Sequence, residues 1–152
     1  MEQWCGRSRS FDVYSVEHIQ DLYKERSDDI KDPVEKRFDF IHSDLFDSVT
    51  GKFDCIVSNP PYIPSKDIEE LEPEVKDHEP RLALDGTEDG LLFYRNITKE
   101  AHDYLNEGGW LLVEIGYDQG ESVSQLFNDN GFKEVEVIRD LAGNNRVVKG
   151  HL

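Results

Sequence analysis

Residues 54–62 read Asp-Cys-Ile-Val-Ser-Asn-Pro-Pro-Tyr, and this stretch decides the fold. The apolar run of Cys55, Ile56 and Val57 does not alternate with polar residues, which indicates a strand covered on both faces. The strand stops at Asn-Pro-Pro-Tyr because proline fixes its own φ and keeps the preceding residue out of the helical region. In open parallel sheets ligands bind beyond the carboxyl ends of strands, so this corner is a candidate site.

The proline corner, defined here as residues 59–62, offers hydrogen-bond acceptors and few donors. Pro60 and Pro61 have no N–H, whereas the Asn59 side-chain oxygen and the nearby carbonyls can accept, and Tyr62 adds a flat ring. Such a set suits a planar NH2 group, either an amide or a nucleobase amine. A Pro-Pro pair alone more often marks an ordinary turn after a core strand. The whole four-residue motif at the end of an apolar strand is more specific.

The rest of the chain alternates predicted strands and helices, which indicates an open α/β sheet. Strands are predicted at 11–17, 38–41, 54–58 and 110–115, long helices at 18–30, 90–106 and 117–130, and a short helix at 67–75. Residues 132–138 and 146–149 are predicted to form an antiparallel C-terminal hairpin. Gly108 and Gly109 are expected to end the second long helix. The connection over 63–88 is long and polar, and such segments are usually functional or disordered.

The 152 residues are 37% hydrophobic, 33% charged and 11% aromatic, with a formal net charge of −16. This length fits one domain, and the aromatic content argues against disorder. An acidic surface repels phosphate backbones, so we expect no strong binding to bare nucleic acid. The same charge would suit a basic protein partner, or simply solubility.

Cysteine usage and hydropathy predict a cytoplasmic chain. Cys5 and Cys55 have no spacing typical of a disulfide framework, and neither they nor the five histidines have the spacing of metal ligands, so no metal is expected. No apolar segment is long enough to cross a membrane, and the N-terminus lacks the apolar core of a signal peptide. Residues 1–10 have no periodicity and are predicted to be an irregular leader before a single domain at 11–152.

The proline corner resembles the signature of S-adenosylmethionine-dependent methyltransferases that act on planar nitrogen. Three further pieces narrow the resemblance: Ile63-Pro64, the run Glu-Pro-Arg-Leu-Ala-Leu at 79–84, and Asp85-Gly86. Together they resemble the HemK/PrmC family, which methylates the glutamine side-chain amide of peptide chain release factors. The resemblance implies a Rossmann-like class I methyltransferase fold, a seven-stranded sheet with an antiparallel last strand, S-adenosylmethionine as cofactor, and a release factor as the protein partner.

The resemblance implies a catalytic set of Asn59, Pro60, Pro61 and Tyr62. The Asn59 side-chain oxygen and the Pro60 carbonyl would accept both hydrogens of the substrate amide, while Tyr62 would pack against its plane. Asn59 would also contact the cofactor. Glu79 would help to shape the substrate pocket, although a surface ion pair with Arg81 is the plainer alternative.

Further cofactor contacts follow from the same resemblance. Glu17 would bind the ribose hydroxyls, Asp44 would lie near the adenine amine, and Leu45 or Phe46 would pack against the adenine ring. The spacing between Glu17 and Asp44 fits the family's interval. A strand-end acid and a turn or helix-capping aspartate are the plainer alternatives for these two residues.

Two C-terminal segments, 114–119 and 140–146, lie in the part of the chain that the resemblance covers. Glu114 and Gly116 end a predicted buried strand near Tyr117 and Gln119 and are expected to be structural. The segment 140–146, Asp-Leu-Ala-Gly-Asn-Asn-Arg, resembles the family's terminal turn, where an acid usually precedes the arginine. Asn145 occupies that position here.

The expected glycine-rich turn, Asp-x-Gly-x-Gly-x-Gly, is not found before Glu17, where Gly6 is the only glycine. We therefore expect a partial catalytic domain that lacks the first strand and this loop, with poor cofactor binding. The missing strand would leave unpaired backbone groups, each costing about 1–3 kcal/mol if buried. Self-association through the exposed sheet is one expected consequence.

Two other functions stay open on the sequence. The Asn-Pro-Pro-Tyr motif also serves adenine and guanine amino-methyltransferases that act on nucleic acid, although the acidic charge and the segment 79–84 disfavour them. A non-catalytic fragment that pairs with another chain through its exposed sheet is the second alternative, and the absent glycine loop favours it.

Overall fold

A computed structural model describes residues 41, 43–70 and 81–152, which fall into two units, 1–49 and 50–152. The predicted leader, the strand at 11–17 and the helix at 18–30 lie outside the described residues, as do residues 38–40 of the next predicted strand. The elements below therefore belong to the second unit.

The second unit alternates strands and helices in the predicted order. Its strands are β1 (Phe53–Ser58), β2 (Leu105–Glu114), β3 (Lys133–Arg139) and β4 (Asn145–His151). Its helices are α1 (Arg81–Leu84, a single turn), α2 (Leu92–Tyr104) and α3 (Gly120–Asp129), with a 3₁₀ turn at Ile68–Glu70. Of the short helix predicted at 67–75, the described part contains only this 3₁₀ turn.

The four strands form one sheet in the order β1-β2-β4-β3. β1 and β2 are parallel, whereas β4 is antiparallel to both of its neighbours, β2 and β3. A parallel pair needs a crossover connection, and α2 lies in the chain between β1 and β2. The predicted α/β architecture with an antiparallel C-terminal hairpin is confirmed.

The core lies between the sheet and its two long helices. α2 packs on β2 and on α3, and α3 packs on β3 and β4. Their inward side chains include Tyr94, Ile97, Val123 and Phe127, all fully buried. The strands present Leu111, Val113 and Val148 from the sheet, also fully buried. Each such apolar side chain contributes roughly 1.5–3 kcal/mol relative to full exposure, so this packing fixes the strand ends that carry the proline corner.

The prediction that Gly108 and Gly109 end the second long helix is wrong. α2 stops at Tyr104, and β2 begins at once with Leu105, which is paired with Phe53. The next pair is Cys55 with Trp110, so residues 106–109 bulge out of the parallel ladder. Leu105 is buried and fits the apolar pattern of the helix as well as that of the strand, so periodicity alone could not place the boundary.

The last long helix also begins later than predicted. Residues 117–119 form a turn closed by a hydrogen bond from the Gln119 N–H to the Gly116 carbonyl at 3.0 Å, and α3 starts at Gly120. The Gln119 side chain does not cap the helix. It is engaged elsewhere, at the candidate site.

Candidate functional site

The proline corner follows directly from β1. Ser58 ends the strand, the Asn59 side chain is exposed, and Pro60 and Pro61 are buried. Tyr62 is half-buried. Because φ is locked at both prolines and both residues are buried, the backbone that follows Asn59 has little conformational freedom.

The segment 84–87 lies alongside the chain that leaves the corner. Ile63 forms a parallel bridge with Asp85, in which the Ile63 N–H donates to the Leu84 carbonyl at 3.1 Å and the Gly86 N–H donates to the Ile63 carbonyl at 2.8 Å. The Ser65 N–H donates to the Thr87 carbonyl at 2.9 Å. Ile63 is therefore hydrogen-bonded to residues of the other two sequence pieces that narrowed the family resemblance, Leu84 and Gly86.

The Asp85 carboxylate secures this pairing. Its Oδ1 accepts from the Ser65 hydroxyl at 2.6 Å and from the Thr87 N–H at 2.9 Å. These two hydrogen bonds, more than the nearby Arg81, hold the pKa of Asp85 below its ordinary value. Arg81 also pairs with Glu69 at 3.1 Å, while the pairing with Glu79 that the sequence left open lies outside the described residues.

Two glycines allow close approach to the Tyr62 backbone. A Cβ at Gly86 would lie 2.8 Å from both the Cα and the carbonyl carbon of Tyr62. A Cβ at Gly90 would overlap the Tyr62 carbonyl oxygen and lie 2.8 Å from Gln119 Nε2. Gly90 also has a φ of +71°, which side chains rarely adopt. The fit around Tyr62 thus requires glycine at both positions.

Gln119 joins the proline corner to the end of β2. Its Nε2 donates to the Tyr62 carbonyl at 3.0 Å and to the Gly90 carbonyl at 3.3 Å. Its Oε1 accepts from the Gly116 N–H at 2.9 Å, and the Tyr94 hydroxyl lies 3.4 Å away. The residue is 9% exposed. The hydrogen bonds of this buried amide tie together the proline corner, the residues at the start of α2 and the turn before α3.

The Tyr62 hydroxyl lies in a partly charged environment. Burial raises the pKa of Tyr62, and the Glu114 carboxylate raises it further, while a hydrogen bond and the positive charge of Arg146 act in the opposite direction. Arg146 is itself held by Asp140, with Nη2 3.2 Å from Oδ2. The ring of Tyr62 is therefore connected to the C-terminal hairpin as well as to its own loop.

The hairpin turn explains how asparagine is accommodated before Arg146. Asp140 Oδ1 accepts from the Ala142 and Asn144 N–H groups, each at 2.9 Å, so this carboxylate organises the turn. The Asn145 side-chain amide donates to the Tyr117 carbonyl at 3.2 Å. A carboxylate at 145 could not make that donation. Asparagine at this position therefore links the hairpin to the turn before α3.

The acceptors that the sequence assigned to substrate are not engaged within the described part of the chain. None of its residues donates a hydrogen bond to Asn59 Oδ1 or to the Pro60 carbonyl. By contrast, the Tyr62 carbonyl is taken by Gln119. Within the described residues, the Tyr62 carbonyl is therefore used for internal support, whereas Asn59 Oδ1 and the Pro60 carbonyl are not.

Two predicted site residues, Glu17 for the cofactor and Glu79 for the substrate pocket, lie outside the described residues. In the first unit, the Ser43 hydroxyl accepts from the Ser48 N–H at 2.8 Å, and the turn between them exposes Asp44, whose carbonyl accepts from the Asp47 N–H at 3.0 Å. Leu45 is half-buried with a φ of +46°, whereas Phe46 is 5% exposed. Of the two residues predicted for the adenine ring, Leu45 is the more accessible.

Two negative findings apply to the described residues alone. Among residues 41, 43–70 and 81–152, no group of three or more His, Cys, Asp or Glu side chains is placed to hold a metal ion. In the same part of the chain, no helix has the length and apolar character needed to cross a membrane.

A family model for the Eco57I restriction-modification methylase matches residues 4–112, which is well over half of the chain. The chain belongs to this methyltransferase family. Among curated proteins, release factor glutamine methyltransferase from Geobacter sulfurreducens is 54% identical over 101 residues, covering 66% of this chain and 36% of the relative. The protein of the same name from Clostridium botulinum is 44% identical over 140 residues, covering 90% of this chain and 49% of the relative.

These relatives confirm the resemblance to the HemK/PrmC family. The chain spans less than half the length of either relative. The solved structure of protein-(glutamine-N5) methyltransferase (release factor-specific) from Alicyclobacillus acidocaldarius matches 91% of this chain and 60% of its own, at 23% identity and a TM-score of 0.42.

Sequence reasoning placed Gln119 near the strand end but gave it no role, and it did not single out Gly90. For each residue the sequence contained only a weak indication of a structural role. Gln119 is three residues beyond Gly116 in the turn after a buried strand, and Gly90 directly precedes the predicted start of a helix. Neither position reveals its partner, because Gln119 and Tyr62 are 57 residues apart in sequence.

Proposed function

We propose that this chain carries the amide-binding part of a protein-glutamine N-methyltransferase, which transfers a methyl group from S-adenosylmethionine to the glutamine side-chain amide of peptide chain release factors. One observation carries the proposal. Asn59 Oδ1 and the Pro60 carbonyl receive no hydrogen bond from the described residues, and the stiff corner that bears them has no N–H at either proline. A primary amide offers two N–H donors to such a pair. The names of the relatives support glutamine as the amide and release factors as the partner.

The corner would act on the nucleophile. An amide nitrogen is a weak nucleophile because its lone pair is delocalised into the carbonyl. If Asn59 and Pro60 accept both amide hydrogens, they orient the nitrogen and stabilise the positive charge that develops on it during attack. The nitrogen becomes acidic as it is methylated, so the mechanism requires no strong base. The half-buried Tyr62 would pack against the amide plane.

S-adenosylmethionine supplies an electrophilic methyl group on a sulfonium cation. The acceptors at the corner fit such a group, since the exposed amide oxygen of Asn59 is compatible with a nearby cation. Asp44 and Leu45 remain predicted adenine contacts, and Glu17 a predicted ribose contact. The cytoplasmic location of the chain and its self-association also remain predictions.

A nucleobase amine is the second candidate substrate, because the matching family model is that of a restriction-modification methylase. Adenine and guanine amines also present a planar NH2 to the same two acceptors. The net charge of −16 opposes this function, since DNA and RNA backbones would be repelled.

Methyl transfer by the full chain to purified release factor, DNA and RNA, measured by mass spectrometry, tests the proposal. Wild-type protein should methylate a release-factor glutamine, and Asn59→Ala should reduce kcat by roughly 10²–10³-fold. Asn128→Ala is the matched control, because its exposed side chain bonds only within α3, to the Ser124 carbonyl at 2.9 Å. Methylation of nucleic acid alone, or full activity in Asn59→Ala, would refute the proposal. Calorimetric titration that detects no binding of S-adenosylmethionine would instead favour a non-catalytic fragment.

A further inference from the structure

We propose that Gln119 is a positioning residue for methyl transfer, which holds the Tyr62 carbonyl so that the free acceptors of the proline corner keep their place. The proposal rests on the function proposed above. In this role Gln119 does not touch the substrate. It acts through the Tyr62 backbone, to which its Nε2 donates at 3.0 Å.

The corner needs such support because of its own composition. A chain segment is normally held by hydrogen bonds from its N–H groups, and Pro60 and Pro61 have none. The segment can therefore be tied down at this point only through its carbonyls. Among the described residues, none donates to the carbonyl of Pro60 or of Pro61. The Tyr62 carbonyl, directly after the two prolines, is held by Gln119 from a different part of the fold.

The orientation of the Gln119 amide follows from its neighbours. One donor, the Gly116 N–H, faces one end, and two acceptors, the Tyr62 and Gly90 carbonyls, face the other. Only an amide with its oxygen toward the N–H and its nitrogen toward the carbonyls satisfies all three. The Tyr94 hydroxyl also lies 3.4 Å from the amide oxygen, but its single proton is donated to the Glu114 carbonyl at 2.8 Å. Burial raises the pKa of Tyr94, so this hydroxyl stays protonated.

Glutamic acid at position 119 would reverse one half of this arrangement. Its carboxylate would still accept from the Gly116 N–H, but it would present a second oxygen to the Tyr62 and Gly90 carbonyls. Burial would raise the pKa of the introduced carboxyl. Once protonated, its hydroxyl could donate to the Tyr62 carbonyl and partly restore the native contact. The hydrogen bond from position 119 to the Tyr62 carbonyl, and with it kcat, should therefore depend on pH in Gln119→Glu.

The test compares Gln119→Glu with wild type in methyl transfer to release factor, at about pH 8.5 and at about pH 6, two values chosen to lie on either side of a raised glutamate pKa. The folded fraction at each pH is measured by circular dichroism, and kcat is expressed per folded molecule. At the higher pH we expect kcat to fall by about 100-fold relative to wild type. At the lower pH the deficit should shrink by at least about tenfold, with the KM for S-adenosylmethionine unchanged at both.

Gln125→Glu is the matched control, an identical change on the same helix. Gln125 is exposed and bonds only to Asp129, at 2.7 Å. It should retain wild-type kcat at both pH values. If Gln119→Glu fails to fold, Gln119→Met takes its place, and we expect the same loss of kcat per folded molecule with no recovery at low pH.

Two outcomes overturn the proposal and can be told apart. If wild type is active but the folded Gln119 variant has kcat within about twofold of it, or Gln119→Glu has the same deficit at both pH values, then Gln119 is not a positioning residue and the proposed function stands. If wild type transfers no methyl group to any release-factor glutamine, both proposals fail together.

Discussion

Replacing Gly90 with alanine tests the packing that holds the proline corner. The new Cβ would overlap the Tyr62 carbonyl oxygen and lie 2.8 Å from Gln119 Nε2, so it would separate a donor from its acceptor. The φ of +71° adds about 1–2 kcal/mol for a residue with a side chain. Loss of the hydrogen bond contributes about 1–3 kcal/mol more, because it is partly buried. We expect the free energy of unfolding to fall by about 2–5 kcal/mol in total.

Two further glycines separate these contributions. Gly108 has nearly the same φ, +74°, but a Cβ there would have nothing within 4 Å, so Gly108→Ala should lose only about 1–2 kcal/mol. The backbone of Gly86 is not in the left-handed region, yet its Cβ would lie 2.8 Å from the Tyr62 backbone. Gly86→Ala should therefore report steric overlap alone, about 1–3 kcal/mol.

Urea unfolding of the full chain, followed by tryptophan fluorescence and circular dichroism, gives the three free energies. The comparison between Gly90→Ala and Gly108→Ala isolates the effect of the close contacts at Gly90, since the two glycines have nearly the same φ but different surroundings. Equal losses for these two variants would refute the close approach of Gly90 to Tyr62 and Gln119. A loss at Gly90 that exceeds the loss at Gly108 by about 1–3 kcal/mol is the expected result.

Two other predictions concern groups beside the corner. The pKa of Asp85 is lowered in the folded state, so its contribution to stability should be present above the ordinary value of 3.8 and disappear as the pH falls through the lower folded value. Urea unfolding of wild type and Asp85→Asn should thus differ near neutral pH and converge in acid, and a constant difference would contradict the assignment. Ser58 Oγ is buried with no hydrogen-bond partner in the described chain, and so is Ser124 Oγ. Ser58→Ala and its control Ser124→Ala should each leave the free energy of unfolding unchanged or raise it by up to about 1 kcal/mol, and a loss above 1 kcal/mol would reveal a partner for the hydroxyl.

Local sequence signals were sufficient for much of the architecture. The apolar run at 55–57 and the two prolines after it predicted a strand with an abrupt end, because these preferences act between chain neighbours. Its predicted burial on both faces is wrong, since Ile56 is buried but Cys55 and Val57 are half-buried. The alternating C-terminal hairpin was also predicted from such local preferences. The boundary between α2 and β2 was not, since Leu105 satisfies the pattern of both elements and the pairing of β2 with β1 decides between them.

The amino-acid sequence alone determined which groups stand at the candidate site. Asparagine, two prolines and tyrosine in a row make a corner rich in acceptors whatever surrounds it, since proline lacks an N–H and has one φ. Only the tertiary structure decided which of those acceptors remain free. Gln119 takes the Tyr62 carbonyl from 57 residues away, and Gly90 leaves room for it to do so. Contacts between residues so far apart depend on how α2, β2 and the turn before α3 pack together, and no local preference encodes that arrangement.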